Sequence, residues 1–322
     1  MLSRSAQGLY WMGRYLERAE FLCRLLRLQA EALVDRPIRE IHAGWARIYD
    51  GISREPPGGS LDLVTSDDFT LADSYTLADD LTFERANPDS VWSCFAQGRE
   101  NARQMRHCIS EELWTSLNLA YLRIQKLGIQ DIWRTSPEGF YAETAAEMNR
   151  FSGVAGATMY RDEGWRFMQL GGFIERAQLS TALFLSQLSS DSKAGEHTDA
   201  DWTSLLRFYH ALEAYNRIYS VEVHPGQVLD LLATDPLLPD SLCRSLDRAA
   251  SDLASIGPGP NAKASGAARR LAGRMSALIH YDWPDREDRE ELLLQVRQYG
   301  LELHHLVTAA YFDYAVEDFP GS

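Results

Sequence analysis

LYWMGRYLERAEFLCRLLRLQAEAL, residues 9 to 33, decides the fold. Its apolar positions Leu9, Met12, Leu16, Ala19, Cys23, Leu26, Ala30 and Leu33 alternate spacings of three and four, the signature of one long helix with a continuous buried seam. Tyr10, Arg14, Glu17, Phe21 and Leu28 project from the opposite side, flanked by Trp11, Arg18, Leu22 and Leu25. A helix that is apolar almost all round is expected to be buried on most sides. Arg14, Glu17 and Arg18 are then carried inward, and buried charges require partners.

The helical period continues through residues 91–127, 201–220 and 287–315, while strand-like alternation is scarce. The expected fold is all-α, a large helical bundle. Breaks fall at REPPGGS (54–60), SSDSKAGEHTD (189–199) and IGPGPNAKASG (256–266). Ser90 and Ser241, each in a Pro-Asp-Ser context, are candidate N-caps, and the serines of SRSA (3–6) offer a cap for the first helix.

Three landmarks recur in order. Glu17-Arg18-Ala19 returns as Glu175-Arg176-Ala177, an offset of 158; Trp45 matches Trp202, an offset of 157; Ser90 matches Ser241, an offset of 151. The reading is an internal duplication, with a first helical half at 1–150 and a second at 151–322 packed into one domain. The second copy has Gly172 where the first has Arg14.

The chain has 322 residues, 45% hydrophobic and 24% charged, with a net charge of -14, enough apolar sequence for a large core. Such an acidic chain repels phosphate backbones, so nucleic acid is not an expected partner. No apolar run is long enough for a transmembrane helix and the N-terminus has no secretory pattern, so no membrane partner is expected. Cys23, Cys94, Cys108 and Cys243 are scattered and read as reduced, mostly buried thiols of a cytoplasmic protein.

Two readings of the charges stay open. Arg14 and Arg18, four apart, repel unless an anion lies near them, and Glu17 is placed to pair with Arg14. Either each Glu and Arg bridges to a neighbouring helix and fixes packing, or Arg14 and Arg18 clamp a carboxylate or phosphate. In the clamp reading Glu17 orients the arginines or acts as a general base. Arg99, Arg103 and Arg106 share one helical side, and Arg99 or Arg103 could join the same anion; the alternative is a solvated face with Glu100 pairing locally. Trp11, Trp114 and Trp165 read as core aromatics.

Other chemistry finds little support. His304 and His305 are adjacent and splay apart, HExxH and paired ExxH motifs are lacking, and LADDLTFE (77–84) and DREDRE (285–290) only mimic DDxxD clusters. The second of these reads as a helix start. No GxxxxGK[ST] loop is present, so ATP binding by the chain itself is not expected, and neither metal nor cofactor is expected. Ser3 has no His-Asp pattern to make it a nucleophile.

LSRSAQGLYWMGRYLERAE at the N-terminus, GRENARQMRHCISEELWTSLN (98–118), MYRDEGWRFMQLGGFIERA (159–177) and ALEAYNRIY (211–219) together resemble the bacterial alpha-E family, a helical group named for its Glu-Arg motif. The positions that carry the resemblance are Ser3, Arg4, Tyr10, Arg14, Glu17 and Arg18, then Arg99, Glu100, Asn101, Glu112, Trp114 and Asn118, and Arg161, Asp162, Trp165, Glu175 and Arg176. Gly172 departs from it, where an arginine is expected. The resemblance implies a circularly permuted ATP-grasp protein as partner and ATP-dependent formation or processing of peptide bonds. It brings no catalytic assignment. The expectation is an accessory or binding subunit of such a system that holds a carboxylate- or phosphate-bearing peptide or acyl ligand. Tyr10, Arg14, Glu17, Arg18, Arg99, Arg103, Glu175, Arg176 and Arg4 are its candidate binding residues. The alternatives are an enzyme of acyl or amide chemistry with Glu17 as general base, and a purely structural helical scaffold.

Overall fold

The computed structural model describes residues 1–59, 67–194 and 199–313. Fourteen α-helices and one π-helical stretch make up the regular structure of these residues, with no strand among them. Two long helices form its axis: α1 (Ser3–Asp35) and α8 (Glu163–Ala194). The seam Leu9, Met12, Leu16, Ala19, Cys23, Leu26 and Ala30 is buried as its period requires, and so are Tyr10, Phe21, Leu22 and Leu25 on the other sides of α1.

α1 and α8 run parallel, since the N-terminal amine meets Glu163 and residues farther along α1 meet residues farther along α8. Their backbones touch at two glycines. A Cβ on Gly13 would collide with the Met168 carbonyl oxygen, and one on Gly171 with the Tyr10 carbonyl oxygen. The contacts are exchanged, because Tyr10 and Met168, like Gly13 and Gly171, are 158 residues apart.

Around α1 pack α4 (Val91–Gln104) and α7 (Pro137–Thr158), with α5 (Glu111–Ile124) behind them. Around α8 pack α12 (Leu242–Ser255) and α14 (Arg289–Tyr311), with α13 (Ala262–Ala277) behind them. The remaining helices are α2 (Ile38–Gly51), which packs on α8, α3 (Asp67–Thr82), α6 (Ile129–Trp133), α9 (Asp199–Phe208), α10 (Leu212–Ile218) and α11 (Pro225–Thr234), and the π-helical stretch follows α13 at Leu278–Asp282.

Helix starts follow local chemistry. Ser90 Oγ accepts from the Ser93 amide and Ser241 Oγ from the Arg244 amide, so both Pro-Asp-Ser segments cap a helix as expected. Asp288 caps α14 in the same way, which identifies DREDRE as a helix start. Two expectations change. The serines of SRSA do not cap α1: Leu2 holds the cap position and no side chain bonds there. The break expected at 189–199 begins later, because α8 continues to Ala194; residues 195–198 lie outside the described residues, as do 60–66 and 314–322. Residue 150, the expected division between the halves, lies within α7.

Candidate functional site

Two chains of buried charge run between α1 and α8. In the first, Glu175 on α8 has a side chain only 1% exposed and lies between the two arginines of α1. Arg14 Nε donates to its Oε2 at 2.5 Å and Arg18 Nε to its Oε1 at 2.6 Å. Arg18 also reaches Asp89, beside the cap of α4. Arg14 donates from Nη2 to Gln178 Oε1 at 2.7 Å and from Nη1 to His304 Nδ1 at 2.9 Å. The anion that lets two arginines stand four apart is thus the protein's own glutamate. Burial opposes charge on Glu175, but Arg14 and Arg18 more than offset it, and its pKa falls below the ordinary value.

In the second chain Glu17 does not pair with Arg14. It turns across to α8, where Arg176 grips both oxygens, Nε to Oε1 at 2.5 Å and Nη2 to Oε2 at 2.8 Å. Arg176 continues to Asp240 at 2.7 Å, beside the cap of α12. Arg24 then joins Asp240 to Glu20. Each Glu-Arg pair is thereby satisfied by the other: Glu17 by Arg176 and Glu175 by Arg18. Helical geometry explains the exchange, because neighbours in one helix point about 100° apart and cannot bond each other.

His304 on α14 stacks against Tyr10, with ring centroids 5.9 Å apart. A guanidinium N–H can only donate, so His304 Nδ1 accepts and the ring is neutral, protonated on Nε2. Burial and then the adjacent Arg14 lower the His304 pKa from 6.5 to about 4, while burial raises the Tyr10 hydroxyl to about 12. Between pH 6.5 and about 4 the unfolded chain takes up a proton that the folded chain refuses, so stability falls as pH falls through that window. Urea melts across it should show a steeper acid loss for the native protein than for His304→Asn, which keeps an acceptor but does not titrate.

The structure therefore assembles Tyr10, Arg14, Glu17, Arg18, Glu175 and Arg176. It leaves the other three candidates apart. Arg4 is exposed at the start of α1. Arg99 donates to Asn118 at 2.8 Å and lies over Trp114 and Tyr121. Arg103 pairs on the surface with Glu100 at 2.7 Å, so the local pairing is the one formed and neither joins Arg14 and Arg18. Trp11, Trp114 and Trp165 are half-buried against the core, each beneath an arginine. Sequence reasoning missed Asp89 and Asp240. Both adjoin the capping serines, and their repetition was the available signal.

α1 and α7 run antiparallel and part along one side, leaving two cavities in succession. One, about 210 Å³, lies between Gly13–Glu20 of α1 and Met148–Ala155 of α7, with Glu17, Glu20 and Arg176 on its wall. The other, about 460 Å³, is lined by Arg24, Arg27, Glu31, Asn149, Arg207 and His210. Arg27 and Arg207 converge on the single carboxylate of Glu31, at 3.0 and 3.9 Å. Arg24 Nε is buried and has no hydrogen-bond partner among the described residues. Among the described residues no cluster of His, Cys, Asp or Glu is placed to hold a metal ion, and no helix is long and apolar enough to cross a membrane. Cys23, Cys94, Cys108 and Cys243 are all free.

Fold and site define an all-helical protein whose Glu-Arg motifs are buried against each other. The chain belongs to the Alpha-E family, described as a predicted alpha-helical domain with a conserved ER motif, whose model matches residues 1–312. It is similar to an uncharacterised protein of Mycobacterium bovis, 28% identical over 309 residues that cover 90% of this chain and 33% of the relative. Uncharacterised proteins from two strains of Mycobacterium tuberculosis match over the same shares at 28% and 27% identity. The chain thus spans about a third of the length of the curated relatives it matches. No solved structure matches it.

Proposed function

We propose that this chain is the binding subunit of an ATP-grasp-linked peptide-ligation or peptide-modification system, and that it holds a carboxylate-bearing peptide or acyl ligand. The observation that carries this reading is the larger cavity. Arg27 and Arg207 line it and share one carboxylate, Glu31, between them. A ligand carboxylate supplies a second acceptor for these two guanidinium groups. Arg14 and Arg18 are already engaged by Glu175, so the ligand site moves from the Glu-Arg motif to this groove. In the mycobacterial relatives the corresponding unit is part of a longer chain, which fits a component that works attached to others. A circularly permuted ATP-grasp protein is the partner, tested by co-purification.

We also propose that the halves, 1–158 and 163–313, descend from a duplication. The exchanged contacts of Gly13 with Met168 and Gly171 with Tyr10 support this, as does the paired recruitment of Asp89 and Asp240.

Calorimetry with trialanine and its C-terminal amide tests the groove. The free acid should bind at least about tenfold more tightly than the amide. The double substitution Arg27→Ala/Arg207→Ala should abolish that preference. Both side chains are about half exposed, so stability should change by less than about 1 kcal/mol. Equal binding of acid and amide, or binding of neither, would sink the groove reading. A second reading, Glu17 as general base, draws on its raised pKa, which burial causes against the pull of Arg176. The Arg176 fork opposes it, since a guanidinium paired to both oxygens favours the ionised carboxylate over the protonated product of base catalysis.

A further inference from the structure

The two charge chains are built alike but do not balance alike. In the first, two arginines, Arg14 and Arg18, meet two carboxylates, Glu175 and Asp89. In the second, Arg176 and Arg24 meet three carboxylates, Glu17, Asp240 and Glu20. The second chain is short of one positive charge, and the shortfall has an address. Arg14 spans Glu175 and Gln178. The residues 158 places away from Arg14, Glu175 and Gln178 are Gly172, Glu17 and Glu20. Where an arginine side chain would leave Gly172 there is space instead, since a Cβ at Gly172 would come no closer than 3.8 Å to Glu17 Oε2 or the Gly13 carbonyl.

That space is the cavity of about 210 Å³, and Gly172, Glu17, Glu20, Met168 and Gln169 all line it. Glu20 supplies an observation independent of the count. Its side chain is only 5% exposed, its Oε1 takes the Arg24 hydrogen bond, and its Oε2 has no partner among the described residues. That oxygen is open to the cavity rather than sealed in the core, so it is free to accept a hydrogen bond from a group that enters.

We propose that this cavity is a binding site for a guanidinium group carried by a ligand, such as the side chain of an arginine residue in a peptide. The guanidinium takes the place that Arg14 fills in the first chain, donating to Glu17 on one side and Glu20 on the other. Its planar fork of donors suits two separated carboxylates better than the point charge of an ammonium does. Phe151, Phe173 and Trp165 on the cavity wall offer aromatic surface to the flat cation. Equivalence of contacts, rather than of ancestry, is all that this requires, and it stands whether or not the neighbouring groove takes a carboxylate.

Agmatine, which carries a guanidinium and no carboxylate, probes this cavity alone. Millimolar agmatine should raise the melting temperature of the native protein by about 2 °C or more relative to tetramethylammonium at equal ionic strength. Gly172→Ala controls for helix propensity and should keep the response. Gly172→Arg should place a guanidinium in the cavity, melt above Gly172→Ala without ligand, and no longer respond to agmatine. Absence of an agmatine effect on the native protein would overturn the proposal, whatever the variants do. So would a response of equal size in a folded Gly172→Arg protein, since the ligand would then be bound elsewhere.

Discussion

Replacing Glu175 by glutamine is expected to destabilise the protein by about 3–5 kcal/mol in urea or thermal melts. The carboxylate is 1% exposed and receives one N–H from each of Arg14 and Arg18. An amide of the same shape presents one acceptor and one donor. One arginine keeps a neutral partner, while the other faces an NH2 group at a buried site and loses its counter-charge. Arg14, 7% exposed, cannot turn to water to recover what it loses. In acid the native protein should lose this contribution too, so the gap between it and the glutamine variant should narrow. Because the folded pKa of Glu175 lies below the unfolded one, its contribution is complete above the unfolded value and disappears as pH falls through the folded value.

The second large effect comes from a single carbon. Gly171→Ala puts a Cβ into the Tyr10 carbonyl oxygen, at the place where the backbones of α1 and α8 touch. Neither atom belongs to a flexible side chain, so the helices must separate, and every charge bridge between them stretches. Overpacking of this kind costs about 1–3 kcal/mol, reduced by up to about 1 kcal/mol for the better helix propensity of alanine. Gly171→Ala is therefore expected to lose about 1–2 kcal/mol. Gly172→Ala, one residue on, has open space and should gain about 0.5–1 kcal/mol. Melts of the two neighbours that move in the same direction would contradict a backbone contact at Gly171.

Much of the fold was legible because it is local. The three-and-four spacing of Leu9 through Ala30 and the capping roles of Ser90 and Ser241 depend on neighbours in sequence. The length of α8 was not legible in the same way: SSDSKA has loop composition, yet the helix carries through it. The site was half legible. That Arg14, Glu17 and Arg18 sit inside and need partners follows from the helix alone. Which partners they take does not, because Glu175, Asp89 and Asp240 come from elements far along the chain. The pairing of Glu17 with Arg14 looked natural at a separation of three, and tertiary structure overrode it with the Arg176 fork. The groove at Arg24, Arg27 and Arg207 left no trace in sequence, since Arg207 and His210 reach it only when α9 and α10 fold beside α1.

The central claim is that the Glu-Arg motif is a reciprocal bond between two helices rather than a reagent exposed to a ligand. A double-mutant cycle across that bond tests it most directly, with Glu17→Gln, Arg176→Met and the pair measured by urea denaturation. Both side chains are largely buried, 12% and 17% exposed, and touch at two points. The predicted coupling is about 2–3 kcal/mol, with the double variant far less destabilised than the two single losses added together. Additive losses, with coupling within about 0.5 kcal/mol of zero, would contradict it.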